Sequence, residues 1–147
     1  MSIREEQAHL LFSSGYNCAQ AVLGAFCEDE GLSMKTALML ATGFGGGVRC
    51  GELCGAVSGA IMVIGLKCGF YIKKDMEQNE FCRKKTYEFI ERFKETNRSI
   101  LCRDLLGADI RTPADHAKPE AKAAHKKVCP ALVGSAVQII ESMEFAV

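Results

Sequence analysis

Apolar residues recur along the chain at helical spacing, and small polar residues or glycines mark where the helices begin and end. In the first third of the chain this pattern predicts helices over residues 3–14, 18–29 and 34–42. Asn17 and Ser33 are favoured N-cap residues for the second and third helices, and Gly15 and Gly31 end the helices before them. No alternating strand of useful length is present, so the pattern predicts an all-α fold.

The most apolar stretch runs from Leu53 to Leu66 without a charged residue, with Ser58 as its only hydroxyl. A helix that is apolar all round is buried on every side, and this one is too short to span a bilayer. We therefore predict a compact bundle of about six to eight helices around a buried central helix at about residues 51–67.

The second half of the chain is more polar, and it predicts a surface helix followed by shorter ones. Helices are expected at about residues 76–96, 100–106, 119–127 and 130–144, with a short extended link at 70–74 and a loop at 108–118. Pro130 favours the start of the last helix because a proline suits the first turn of a helix.

The 147 residues are expected to form one domain, residues 1–147, with enough chain to bury a core. The formal net charge of zero gives no field that would attract nucleic acid or an anionic membrane, so neither is expected as a partner. The first residues lack the pattern of a signal peptide, which favours a cytoplasmic protein. A homodimer is compatible with a small helical domain, although no stretch argues for one.

Glycines surround the start of the central helix. Gly45, Gly46 and Gly47 form a run that can adopt positive φ and lets other atoms come close. Gly55 and Gly59 leave one strip of the helix almost without side chains, against which another backbone can pack.

Eight cysteines in a chain without a signal peptide indicate metal binding, redox chemistry or packing. On the predicted helices, four of them fall at helix N-termini, where the helix dipole stabilises the thiolate that attacks or binds metal. These four are Cys18, Cys54, Cys102 and Cys129. Cys27, Cys68 and Cys82 lie at helix ends or in mid-helix and are interpreted as packing residues, while Cys50 in the loop is an additional candidate thiol.

Four thiolates could hold an iron–sulfur cluster or zinc, or form disulfides. The sequence contains no C-x-x-C, so the motifs of thioredoxin-like proteins, zinc ribbons and c-type haem attachment are all absent. The three histidines, His9, His116 and His125, are scattered and are interpreted as surface or core residues rather than partners of the thiols.

Several segments together resemble the C_GCAxxG_C_C family of redox-active proteins. They are Tyr16–Val22, Gly45–Gly47, Cys54–Ala60, Cys102–Gly107 and Cys129, in the order of the family pattern. The resemblance covers nearly the whole chain and puts the four family cysteines on the same four that the helix-start argument selects. It implies a small redox protein common in anaerobes. A more distant similarity is to split-Soret cytochromes c, but no C-x-x-C-H is present, so haem is not expected.

The favoured hypothesis is that the four cysteines bind an iron–sulfur cluster, with a two-iron (2Fe–2S) type preferred, for electron transfer to a partner that the sequence does not identify. One alternative is a thiol–disulfide redox protein that uses the same cysteines. The other is a structural zinc site, or a non-catalytic helical interaction module whose cysteines only pack.

Overall fold

The computed structural model describes residues 1–146, which form eight α-helices and no strand. The helices are α1 (Ile3–Ser13), α2 (Cys18–Phe26), α3 (Met34–Ala41), α4 (Gly55–Cys68), α5 (Met76–Asn97), α6 (Cys102–Leu106), α7 (Pro113–His116) and α8 (Pro119–Ser142). The prediction of an all-α fold is confirmed.

The N-caps predicted from small polar residues form as expected. Asn17 accepts a hydrogen bond from the backbone N–H of Gln20, whose side chain accepts one from the backbone N–H of Asn17, so α2 starts with a complete capping box. Ser33 and Asp75 cap α3 and α5 in the same way through single bonds to the third residue of each helix. Local sequence therefore sets these three helix starts.

The central helix, α4, packs against α2, α5 and α8, and its first half is fully buried. It begins at Gly55, not near residue 51, because residues 47–51 form a π-type turn with positive φ at Val48, Arg49 and Gly51. Burial on every side holds only at the N-terminal end, since Leu66 is 38% exposed.

The glycine strip of α4 allows a close helix crossing. A Cβ atom added at Gly59 would lie 2.7 Å from the carbonyl oxygen of Ala19 in α2, whereas one added at Gly65 would meet no atom within 4 Å. The predicted close approach at Gly59 is therefore a direct backbone contact between α2 and α4.

We expect Gly59→Ala to lower the free energy of unfolding by about 1–3 kcal/mol, because the new methyl group overpacks a backbone contact that cannot yield. Gly65→Ala makes the same change on an open face of the same helix, and we expect it to stabilise by about 0.5–1 kcal/mol through helix propensity. Urea denaturation of the two variants checks both signs. Equal effects would contradict the close crossing.

The prediction of two helices at residues 119–127 and 130–144 is wrong. One helix, α8, spans Pro119–Ser142 with Pro130 inside it. An internal proline costs about 3 kcal/mol, and the apolar residues that follow it offset this cost by packing into the core. Leu132, Val133, Ala136, Val137 and Ile140 are all buried. In addition, α7 forms inside the segment predicted as a loop. No helix within residues 1–146 is long and apolar enough to cross a membrane.

Candidate functional site

The structure brings the four predicted cysteines into one group. Cys18 is the first residue of α2, Cys54 is the N-cap of α4, Cys102 is the first residue of α6, and Cys129 lies inside α8. The thiol of Cys18 interacts directly with that of Cys129, and both Cys54 and Cys102 lie close enough to raise its pKa further. All four are free thiols, between 2% and 6% exposed.

A short backbone ladder holds two of these thiols in place. The N–H of Cys54 donates to the carbonyl of Ile100 at 2.8 Å, and the N–H of Cys102 donates to the carbonyl of Glu52 at 2.7 Å. Between these bonds Leu53 and Leu101 form an isolated antiparallel bridge. The segment before α4 is thereby paired with the segment before α6, and both helices start on the same side.

Two of the five predicted glycines touch this group. A Cβ atom at Gly47, where φ is +64°, would lie 2.7 Å from the Cβ of Cys102 and 2.5 Å from the backbone nitrogen of Glu52. One at Gly55 would lie 3.1 Å from the Cβ of Cys18. At these two positions, the missing side chain lets the backbone lie directly against the thiol-bearing residues.

The remaining glycines of the loop serve its packing. Gly45 lies against the side chain of Asn17, the N-cap of α2, and Gly46, at φ +63°, lies against the ring of His116. The fifth, Gly59, makes the helix crossing described above.

The expectation that all four thiols have a lowered pKa is wrong for three of them. Burial raises the pKa of Cys54 to about 11, although the backbone N–H groups of Ala56 and Val57 partly oppose the rise. Burial likewise raises the pKa of Cys102 to about 12. The pKa of Cys18 is raised well above its usual value, first by its hydrogen bond with Cys129 and then by burial. Removing a thiolate from water outweighs the modest stabilisation at a helix start.

Cys129 is the exception, for a reason unrelated to a helix terminus, since it lies within α8. Its pKa is lowered to about 6, first by the hydrogen bond from Cys18 and then, against burial, by His125. The Nδ1 atom of His125 lies 3.3 Å from the Cys129 sulfur. One thiolate therefore forms at neutral pH beside three protonated thiols.

His125 is the residue that the sequence interpretation missed, because a thiol–histidine contact was not expected. Residues four apart on a helix share a face, so the spacing from His125 to Cys129 could have revealed the pair. The break predicted at Pro130 placed Cys129 at the start of a new helix and hid this relation. The ring of His125 stacks on that of His116 at 5.9 Å, and His116 lines a cavity of about 400 Å³ together with Arg49 and Lys122.

The other four cysteines lie outside this group. Cys27 is buried and donates to the carbonyl of Gly24 at 3.5 Å, as expected of a packing residue. Cys50 is half-buried in the loop and donates to the carbonyl of Gly47 at 3.6 Å. Cys68 and Cys82 interact with each other at the far end of α4.

The geometry of the four-cysteine group bears on which metal centre it could hold. Within the described residues, 1–146, no three His, Cys, Asp or Glu side chains are arranged to hold a single metal ion. A tetrahedral zinc site needs its thiolate sulfurs within about 4 Å of each other, given Zn–S bonds of about 2.3 Å, so the group is not preformed for zinc. The donor set consists of four cysteine sulfurs, a ligand type that iron–sulfur clusters and structural zinc sites share.

The pKa shifts predict how the stability of the reduced, metal-free protein depends on pH. The pKa of Cys129 is lowered to about 6 in the folded protein, against 9.0 in the unfolded chain. Between pH 6 and pH 9 the unfolded chain therefore binds more protons than the folded one, so the free energy of unfolding rises with pH. The pKa values of Cys54 and Cys102 are raised to about 11 and 12 in the folded protein. Above pH 9 the folded chain therefore holds more protons than the unfolded one, so the free energy of unfolding falls as the pH rises.

Urea denaturation with reductant and chelator, from pH 6 to 11, should therefore show a maximum of the unfolding free energy near pH 9. In Cys129→Ser the rise below pH 9 should flatten while the fall above it remains. An unchanged rise in this variant would contradict the low pKa of Cys129.

Comparison with known proteins gives one match. The family model described as "Putative redox-active protein (C_GCAxxG_C_C)" matches residues 16–143, a stretch that contains all four grouped cysteines. No curated protein and no solved structure matches the chain.

Proposed function

The chain belongs to the C_GCAxxG_C_C family of redox-active proteins, and on this basis we propose that its four grouped cysteines bind an iron–sulfur cluster for electron transfer. The ligands would be Cys18, Cys54, Cys102 and Cys129, and a two-iron (2Fe–2S) cluster is preferred. The observation that carries the proposal is the convergence of four buried, free thiols from four separate helices.

Burial favours electron transfer over thiol exchange. A thiol–disulfide exchange requires a partner sulfur to attack a protein sulfur directly, so at least one of the thiols must be accessible. Cys18 and Cys102 are 6% exposed, and Cys54 and Cys129 are 2% exposed. A bound cluster carries single electrons and needs no direct contact between its ligands and the partner. The closed geometry therefore suits a cluster better than an exchanging disulfide.

The protonation of the group also favours a cationic centre. Metal ligation requires thiolates, and burying several thiolates without positive charge is costly. His125 is the one basic side chain among the causes that shift the four pKa values. Iron would supply the missing positive charge, and binding would release the protons of Cys18, Cys54 and Cys102.

The backbone around the group is suited to tune such a centre. The N–H groups of Ala56 and Val57 lie near the sulfur of Cys54 and oppose the rise in its pKa, and N–H groups directed at ligand sulfurs tune the reduction potential of iron–sulfur clusters. Gly47 and Gly55 bring main chain against Cys102 and Cys18, as described above. Side chains at these two glycines would occupy space beside the ligands.

A second candidate function uses only Cys18 and Cys129, as a thiol–disulfide pair. It is favoured by their direct interaction and by the lowered pKa of Cys129, since a thiolate with a pKa near ambient pH is an effective nucleophile. This function would require a conformational change that exposes one of the two sulfurs, because both are buried and a partner thiol could not reach them.

The test is purification without oxygen, followed by an absorption spectrum and counts of iron, acid-labile sulfide, zinc and free thiols. We expect visible charge-transfer bands with stoichiometric iron and sulfide. A colourless protein without metal, whose thiol count rises by two on reduction and whose non-reduced peptides link Cys18 to Cys129, would replace the cluster with that disulfide. A colourless protein with stoichiometric zinc would overturn both redox proposals.

A further inference from the structure

A second pair of cysteines lies at the opposite end of α4 from Cys54. Cys68 is the last residue of this helix, which places the pair about 20 Å along the helix axis from the first group at 1.5 Å per residue. The side chain of Gln78 in α5 donates to the carbonyl of Cys68 at 2.6 Å. Cys82 follows one turn later on the same face of α5, near enough to Cys68 to contribute to the raised pKa of its thiol.

The two thiols of this pair differ in access. Cys68 is 4% exposed and donates to the carbonyl of Ile64 at 3.2 Å. Cys82 is half-buried and lines an open cavity of about 460 Å³, next to Gly69, Arg83 and Tyr87. A small molecule in this cavity therefore meets the sulfur of Cys82 first, with that of Cys68 behind it.

Three cationic side chains lie near the pair, and each also pairs with a carboxylate: Lys67 with Glu30 at 2.7 Å, Lys85 with Glu88 at 3.4 Å, and Arg83 with Glu80 at 3.9 Å. Lys67 and Lys85 both lie close enough to oppose the rise in the pKa of Cys68 that burial causes, and Arg83 lines the cavity. Neighbouring cations stabilise thiolates and attract anionic reagents. A half-buried thiol at a cavity that Arg83 lines, with a second thiol behind it, is the arrangement of an attacking and a resolving cysteine.

We propose that Cys82 and Cys68 form a second redox site, in which anionic low-molecular-weight disulfides oxidise the two thiols to an intramolecular disulfide. The proposal does not depend on the function of the four-cysteine group. Its substrate class follows from the open cavity, the accessible Cys82 sulfur and the neighbouring Lys67, Lys85 and Arg83.

The reaction has two balanced steps. The Cys82 thiolate attacks one sulfur of the reagent, the reagent S–S bond breaks, and the leaving thiolate takes up the proton that Cys82 has lost. The sulfur of Cys68 then attacks that of Cys82, breaking the mixed disulfide, and the second leaving thiolate takes up the proton of Cys68. The two protein thiols lose two electrons in all, and one reagent disulfide becomes two thiols.

The test treats anaerobically purified protein with oxidised glutathione and maps the cysteines by mass spectrometry of non-reduced peptides. In the wild type we expect a Cys68–Cys82 disulfide without a lasting glutathione adduct. In Cys68→Ser we expect glutathione to remain on Cys82, because the resolving thiol is gone. In Cys82→Ser we expect Cys68 to stay unmodified, because it is closed to the reagent.

Cys50→Ser is the matched control, since Cys50 is the other half-buried thiol, and it should leave the Cys68–Cys82 disulfide unchanged. If Cys68→Ser does not fold by circular dichroism, Cys68→Ala serves the same purpose. A lasting adduct on wild-type Cys82 without the disulfide would overturn the proposal, as would modification of Cys68 in Cys82→Ser. Iron content and the visible spectrum, recorded on the same samples, report separately on the four-cysteine group.

Discussion

Replacing Cys54 with serine is expected to remove nearly all iron and visible absorbance from the anaerobically purified protein if the four cysteines hold the proposed iron–sulfur cluster. Cys54 is 2% exposed at the N-cap of α4, where the nearby N–H groups of Ala56 and Val57 oppose the rise in its pKa. A serine hydroxyl is a hard ligand that suits iron–sulfur clusters poorly. Its C–O bond is also shorter than the C–S bond of cysteine, so the oxygen does not reach the position of the sulfur. Iron and sulfide counts, together with the spectrum, measure the loss.

Cys27→Ser is the control for this variant. Cys27 is equally buried, but it lies at the C-terminal end of α2 and bonds to the carbonyl of Gly24 rather than to the group. We expect it to retain full iron content, with no more than the cost of an ordinary core substitution. Equal iron loss in both variants would indicate general unfolding rather than ligand removal, and full iron in Cys54→Ser would exclude Cys54 as a ligand.

Replacing Gly47 with alanine is expected to destabilise the protein by about 2–5 kcal/mol and to disrupt the group of thiols. Two costs add at this position. Positive φ costs a residue with a Cβ about 1–2 kcal/mol, and φ is +64° here. The new methyl group also overpacks the Cβ of Cys102 and the backbone of Glu52, at 2.7 Å and 2.5 Å, for about 1–3 kcal/mol more.

The matched control is Gly43→Ala, four residues earlier in the same loop region. A Cβ atom there meets no atom within 4 Å, and its φ is not positive. We expect this variant to differ from the wild type by less than about 0.5 kcal/mol. Urea denaturation gives the stabilities, and iron content shows whether Cys102 has moved. Similar behaviour of the two variants would contradict the close packing of Gly47.

Much of the fold follows from local sequence. The caps Asn17, Ser33 and Asp75 bond to groups three residues away, so the short-range pattern specifies where α2, α3 and α5 begin. The apolar composition of the stretch after Cys54 predicts a buried helix, although its C-terminal end, with Leu66 38% exposed, is not buried. Local signals fail at Pro130, where the cost of the proline is local but its compensation comes from contacts of α8 with the core.

The structure brings together the four cysteines that the sequence singled out, but the helix-start reasoning for them holds only in part. Cys18 and Cys102 do begin helices, Cys54 precedes one, and Cys129 lies in the middle of α8. The family pattern and the helix-start argument pointed to the same four residues. The structure, however, brings them together through the backbone ladder at residues 52–54 and 100–102 and through the packing of α8.

The sequence by itself determined the helical class and the positions of most helices, and it singled out four cysteines that the structure brings together. The tertiary structure alone decided which thiols keep their protons, that His125 contacts Cys129, and that Cys68 meets Cys82. The physical reason is the range of the interactions. Helix starts depend on residues within one turn, whereas a pKa depends on burial and on charges that distant parts of the chain bring close.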